Sequence, residues 1–327
     1  MCYSTECMTW IDWEQESSLV FDLKAGLEAA LQEEDLDLEE IQNQEIPGFN
    51  DGNIKANKLA HRAIDQYNLP ILSTWYKYGQ YEPHEEFTPQ AISPRSLDRH
   101  GFPSEPSVPS RDYPSAEDFK HFFLECELEK IVEQDMYEFL EENYTEFAGK
   151  YEEIYLANLS ILRIFDEIVI NGNFVENASY YNAQMTKYST RMRQELISDP
   201  IFDQSAEDIV VSFLRTVRNA LTAVAEKKET NHNLVQFFEK ARKWYHMFIW
   251  AVPALQISIE ESEGVRQQEF KEKGQQKLSQ LRQTAIEKND DLLDKLFDKN
   301  LSPSVDGYRE VEEQISPELR QLARSGL

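Results

Sequence analysis

The stretch LANLSILRIFDEIVI, residues 156–170, carries apolar side chains around almost its whole circumference when it is placed on a helix. A helix of this kind is touched by several neighbours rather than by one. The segments on either side follow the helical period, and no sustained alternation of apolar and polar residues indicates a strand. We therefore predict an all-α, multi-helix bundle with a central helix over residues 147–170.

Helical spacing predicts further helices on both sides of this segment. In the N-terminal part they cover residues 17–44, with Ser17 or Ser18 as the N-cap, and residues 53–67. Ser115 and Asp118 form a capping-box pattern at the start of the next helical segment. Later helices cover about 177–197, 205–228, 231–262 and 264–299, and the third of these is expected to bend or split at Pro253. The last is a docking helix with a thin apolar stripe, formed by Leu278, Leu281, Ala285, Leu292 and Leu296.

Proline is concentrated in one connection, where seven of the 13 prolines fall between residues 83 and 114. Proline lacks the amide proton that a helix needs, so the connection is predicted to be extended. Large apolar residues recur along it, and two interpretations stay open: a strap held on the helical body, or a mobile linker. The sequence thus predicts an N-terminal helical region (1–82), the strap (83–114), a main bundle (115–262) and a charged C-terminal helical extension (263–327).

The net charge of -27 separates the possible partners. Nucleic acids and anionic membranes are themselves negative, and binding to them depends on Lys and Arg, so neither is expected as a general partner. A basic protein is the expected partner, because an acidic surface attracts it. Two interpretations of the charge stay open: acidic helix faces on an ordinary soluble protein, or a surface adapted to a high-salt cytoplasm.

The ends and the cysteines bear on compartment and cofactors. The N-terminal residues are acidic where a signal peptide would be basic, and no apolar run reaches the length of a membrane span, so we predict a cytoplasmic protein. Cys2, Cys7 and Cys126 are an odd number and include no CxxC, which argues against a disulfide framework and a zinc ribbon. Cys126 is expected to be a small buried apolar residue.

Motifs for catalysis, nucleotides and metals are missing from the sequence. It contains no GxGxxG, no GxxxxGK[ST], no HExxH and no GxSxG. His121 lies on one helical face with Glu117 and Glu125, an arrangement that could contribute metal ligands but is more typical of a solvated polar face. We therefore predict no cofactor, no metal site and no catalytic residue.

One region is locally basic. Its candidate residues are Arg215, Arg218, Lys240, Arg242 and Trp244, which either form ion pairs with carboxylates or bind an anion, with Trp244 stacking on a base. The segment RTVRNALTAV, residues 215–224, resembles the HEPN ribonucleases, all-α proteins whose active site is an Arg, often followed by Asn, with a His four to six residues further on. Arg218 and Asn219 match its start, while residues 222–225 hold no His. The resemblance implies a degenerate nucleic-acid-binding protein or ribonuclease that uses residues 215–246.

The most aromatic cluster, NLPILSTWYKYGQYEP, lies at residues 68–83 just before the strap. Its candidate partner-binding residues are Trp75, Tyr76, Tyr78 and Tyr81, which would anchor the strap, present a partner surface, or do both. Residues 53–83 resemble the N-terminal part of the Panacea antitoxin domain, through Lys58, Leu59, Trp75, Tyr78 and Gly79. That resemblance implies a helical prokaryotic protein that neutralises a toxin or serves as an adaptor.

Three functional hypotheses follow. The first is a non-enzymatic cytoplasmic interaction or regulatory protein, antitoxin-like, that binds a protein partner. The second is the nucleic-acid-binding protein or ribonuclease described above, so enzymatic activity is left open. The third is a structural component that self-associates through residues 264–299.

Overall fold

The computed structural model describes residues 5–36, 51–71, 73–76, 79–81, 113–170, 174–228, 232–264 and 267–298. These ranges are almost entirely helical, which confirms the predicted all-α multi-helix bundle. Contacts divide the chain into unit 1, Met1–Ala148 with Ala254–Lys277, and unit 2, Gly149–Pro253 with Leu278–Leu327. Each unit is thus built from two separate stretches of chain, whereas the four predicted regions are consecutive; that fourfold division stays a prediction.

Five helices form most of unit 1: α1 (Thr5–Glu33), α2 (Asp51–Tyr67), α3 (Ala116–Leu124), α4 (Leu128–Glu133) and α5 (Met136–Phe147). Helix α1 packs against α3, and α2 contacts α1, α3 and α4. The predicted start of the first helix at Ser17 or Ser18 is wrong, because serine tolerates a helix interior and helical backbone continues back to Thr5. Residues 37–44 of that predicted helix, and nearly all of the strap, lie outside the described residues.

Helices α1 and α3 approach closely at Gly26. A Cβ built on Gly26 would lie 2.5 Å from the Phe119 Cβ, 2.7 Å from the Ala116 carbonyl oxygen and 2.9 Å from the Lys120 nitrogen. Glycine at this position therefore lets the two helix backbones pack in contact. Helix α3 begins at the predicted capping box, in which Ser115 accepts from the Asp118 amide and Asp118 accepts from the Ser115 amide.

A small β-hairpin, which the sequence did not predict, follows α2. Strands β1 (Thr74–Tyr76) and β2 (Gly79–Tyr81) pair antiparallel, with Thr74 opposite Tyr81 and Tyr76 opposite Gly79. The prediction of no strand is wrong here because each strand has three residues, too few to show an alternating pattern. The residue types fit the structure nonetheless, since Thr, Trp and Tyr favour extended backbone.

Unit 2 is organised around the helix that the sequence placed at the centre. After a 3₁₀ turn (Gly149–Tyr151), α6 (Glu152–Ile170) packs against α7 (Ala178–Ser198) and α9 (His232–Trp244). Helix α8 (Gln204–Lys227) packs along α7. Much of α6 is buried all round, including Ile161, Phe165 and Ile168, which agrees with its continuous apolar sequence.

The predicted break at Pro253 is wrong in its position. Helix α9 passes into a π-helical turn (Tyr245–Ile249), in which the amide of Trp250 donates to the Tyr245 carbonyl, and α10 (Ala251–Glu260) follows. Pro253 therefore lies in the first turn of α10, where a missing amide proton costs little. The final described helix, α11 (Gln267–Asp298), confirms the predicted docking helix, with Leu278, Ala285, Leu292 and Leu296 buried. The unit boundaries fall within α10 and α11.

None of the helices in the described part of the chain combines the length and the apolar content that a bilayer crossing requires.

Candidate partner-binding and anion-binding sites

The predicted partner-binding aromatics fall on the hairpin. Trp75 and Tyr76 belong to β1 and Tyr81 to β2, while Tyr78 lies outside the described residues, as do the side chains of the other three. The backbone register places Trp75 opposite Gln80 and brings Thr74 opposite Tyr81. Three of the four residues are thus held in one two-stranded element.

Contacts with the stretch of unit 1 after residue 253 anchor the hairpin. The Thr74 hydroxyl is buried and donates to the Ser258 carbonyl oxygen at 2.5 Å. Ser73 and Glu263 exchange two backbone hydrogen bonds, of 3.2 and 2.9 Å, as an isolated antiparallel bridge. The start of β1 is therefore fixed to α10 and to the loop that follows it.

Strand β2 lies along α2, the helix that carries the other residues of the antitoxin-like motif. Lys58 and Leu59 are both buried on α2, and Gly79 begins β2. The chain thus brings the two halves of the motif into neighbouring elements, although nearly 20 residues separate Leu59 from Gly79.

Three cations, Lys55, Lys58 and Arg62, run along α2. The ammonium group of Lys55 donates to the carbonyl oxygens of Val132 and Gln134, at 3.0 and 2.6 Å, at the C-terminal end of α4. A helix C-terminus is partly negative, which compensates the buried charge. Burial, together with the positive charge of Arg62, holds the pKa of Lys58 well below its usual value. The Arg62 guanidinium lies over the Phe147 ring, 4.8 Å from its centre.

An acidic surface, which sequence analysis missed as a local feature, adjoins α2. Between residues 125 and 146 every acidic residue is exposed and the one basic residue is Lys130, whose ammonium lies 3.9 Å from Glu142. We call this surface the acidic face; its members are Glu125, Glu127, Glu129, Glu133, Asp135, Glu138, Glu141, Glu142 and Glu146. A count of charge in short windows would have found it, because these nine acids fall within 22 residues.

The five candidates for anion binding do not form one site. Arg242 pairs with Asp166 on α6, and both side chains are largely buried. Trp244 has the ammonium groups of Lys288 and Lys295 over its ring, each 5.3 Å from the centre, so cations already occupy the surface proposed for a base. Lys240 is exposed on α9. These three residues therefore contact different neighbours.

Arg215 and Arg218 differ from the other candidates. They lie three residues apart on α8; Arg215 is exposed and Arg218 is half-buried. The Arg218 Nε is fully buried without a hydrogen-bond partner. Burial and the nearby positive charge of Arg215 lower the pKa of Arg218.

The remaining polar residues behave as structural groups. His121 is exposed and its Nε2 lies 3.5 Å from the Glu117 carboxylate, as expected for a solvated face. Cys126 is half-buried, its thiol donates to the Phe122 carbonyl, and burial raises its pKa. Within the described ranges, no three His, Cys, Asp or Glu side chains are grouped so that they could hold a metal ion.

These features define an all-α chain with one small hairpin, an acidic face and an isolated arginine pair. The chain belongs to the family described as domain of unknown function DUF8098, whose model matches residues 10–118 and 96–326. The comparisons with curated proteins and with solved structures found no match.

Proposed function

We propose that this protein is a non-enzymatic interaction protein of the cytoplasm, antitoxin-like, that binds a basic protein partner through unit 1. The observation that carries the proposal is the acidic face at residues 125–146. Its carboxylates are exposed and almost uncompensated, and such a surface steers a basic partner and selects against acidic ones.

The hairpin supports the same location. It lies along α2, and α2 contacts α4, where part of the acidic face lies. Trp75, Tyr76, Tyr78 and Tyr81 would supply the apolar anchors that charge alone does not give, since aromatic residues carry much of the affinity of protein interfaces. In this proposal the acidic face attracts the partner and the hairpin aromatics hold it.

A pull-down from the source organism, followed by reconstitution with the purified partner, tests the proposal. The test variant is the double substitution Glu138→Lys and Glu141→Lys on α5. The control is Asp290→Lys with Asp294→Lys on α11, which changes the net charge equally at exposed carboxylates outside the acidic face. We expect one stoichiometric basic protein that the control retains and the test variant loses.

Salt provides a second arm, because exposed charges are screened within about 10 Å at 0.1 M salt. The affinity of the purified pair should fall as salt increases. A partner that both double variants retain equally, or an affinity insensitive to salt, would show that the acidic face is not the binding surface.

A further inference from the structure

The pair formed by Arg215 and Arg218 stands apart from the other arginines that the structure describes. Neither has a carboxylate or aromatic partner among the described residues. The others all have one or are otherwise engaged: Arg62 with Phe147, Arg191 with Glu153, Arg193 with Glu207, Arg242 with Asp166, Arg282 with Asp203, and Arg163 in a further contact.

This isolation is unexpected in so acidic a chain. Acidic residues outnumber basic ones by 60 to 33, so an arginine on a helix surface would ordinarily find a carboxylate within reach. Here the nearest charge that affects Arg218 is another arginine. Two like charges one helical turn apart repel each other, and a buried polar group without a hydrogen-bond partner is costly. The arrangement is therefore unfavourable in the absence of a bound anion.

The neighbouring helix supplies a polar wall. Helices α7 and α8 run antiparallel, since Asn182 donates to Thr222 at 3.0 Å near one end and Arg193 donates to Glu207 at 2.8 Å near the other. Arg215 and Arg218 lie on α8 between these two contacts. The matching part of α7 carries the hydroxyls of Thr186, Ser189 and Thr190, which are partly buried and donate to carbonyls of their own helix.

We propose that Arg215 and Arg218 form a binding site for a small phosphate-bearing anion on the α7–α8 surface of unit 2. A guanidinium presents paired N–H donors whose spacing fits two oxygens of one phosphate. Two guanidinium groups one turn apart can contact the same phosphate from two sides, and a dianion neutralises both charges. The half-buried position of Arg218 gives the ligand a partly desolvated end, where charge-assisted hydrogen bonds are strongest.

A small anion fits this site better than a nucleic acid. Binding to a polynucleotide requires several cations along its backbone, whereas Arg242 is neutralised by Asp166 and the Trp244 ring is in contact with lysines. The net charge of -27 also repels a long polyanion. The proposal is independent of the partner surface, because the acidic face belongs to unit 1 and this pair to unit 2.

The test uses the full-length protein and inorganic phosphate, with sodium chloride of equal ionic strength as the reference. We expect phosphate to raise the Tm of the wild type and to bind with 1:1 stoichiometry in calorimetry. Arg218→Gln should weaken binding at least tenfold and abolish the rise in Tm. Arg191→Gln is the matched control, because it removes the same side chain from the same unit where Glu153 already neutralises it.

Stability without phosphate separates a binding role from a structural one. If Arg218 is retained for a ligand, Arg218→Gln should be at least as stable as the wild type in phosphate-free buffer, because it removes a repelled and buried charge. Arg215→Gln, at an exposed position, should fold normally and also weaken phosphate binding.

Three results would overturn the proposal. The first is a wild type that does not respond to phosphate, and the second is a response that survives both substitutions. The third is binding of a single-stranded oligonucleotide that depends on Arg218 while inorganic phosphate does not bind, which would establish a nucleic-acid site instead.

Discussion

Replacing Gly26 with alanine tests how closely α1 and α3 pack. In an open helix the change would stabilise the protein by about 1 kcal/mol, because alanine has the higher helix propensity. At Gly26 the new methyl would lie 2.5 to 2.9 Å from a Cβ and two backbone atoms of α3, none of which can rotate away. Separating the helices should cost about 3 kcal/mol, the upper part of the range for overpacked cores, so we expect a net loss of about 2 kcal/mol.

Gly274→Ala provides the matched control. It is also a helical glycine, but its added methyl would meet the side-chain end of Ile259, at 2.7 Å from Cγ1 and 3.1 Å from Cδ1. A shifted side-chain torsion costs about 1 kcal/mol, which roughly offsets the gain in helix propensity. Thermal unfolding should therefore place the Tm of Gly26→Ala about 4–8 °C below that of Gly274→Ala. If Gly26→Ala unfolds at or above the wild-type Tm, α1 and α3 do not pack as described.

Two further predictions concern buried charge. Asp166→Asn should destabilise the protein by about 3–5 kcal/mol in urea unfolding, because Arg242 is left buried without its counter-charge, and adding Arg242→Met to Asp166→Leu should recover much of the loss; equal losses in the single and double variants would argue against the pairing. The lowered pKa of Lys58 means that the unfolded chain binds a proton that the folded chain does not, so stability should rise with pH from the lowered folded value up to the usual 10.5. Lys58→Met should reduce this slope, and identical slopes would contradict the burial of Lys58.

The sequence predicted the features that depend on local pattern. The all-round apolar character of α6, the buried stripe of α11 and the capping box at Ser115 all leave a periodic or positional signal in the sequence. The hairpin left none, because strands of three residues are shorter than the pattern used to recognise them. Pro253 misled because a proline gives the same signal inside a helix and in its first turn.

The candidate sites were less predictable, since partners across the fold decide them. Nothing in the local sequence distinguishes Arg242, which is paired, from Arg218, which is not; the difference arises from Asp166 on α6. Similarly, Trp244 was expected to be available for stacking, but two lysines of α11 approach it from more than 40 residues away. Charge density along the chain, by contrast, is a local quantity, and it would have located the acidic face.

The contacts that anchor the hairpin also constrain the order of folding during synthesis. Thr74 and its hydrogen-bond acceptor Ser258 are 184 residues apart, and the intervening chain includes residues 149–253 of unit 2. At about 5–20 residues per second, a ribosome needs roughly 10–40 s to make the second partner after the first. During that interval unit 1 lacks α10 and the start of α11, so its nascent form exposes apolar surface that only later chain will cover. The newly made N-terminal unit is therefore the form most in need of a chaperone.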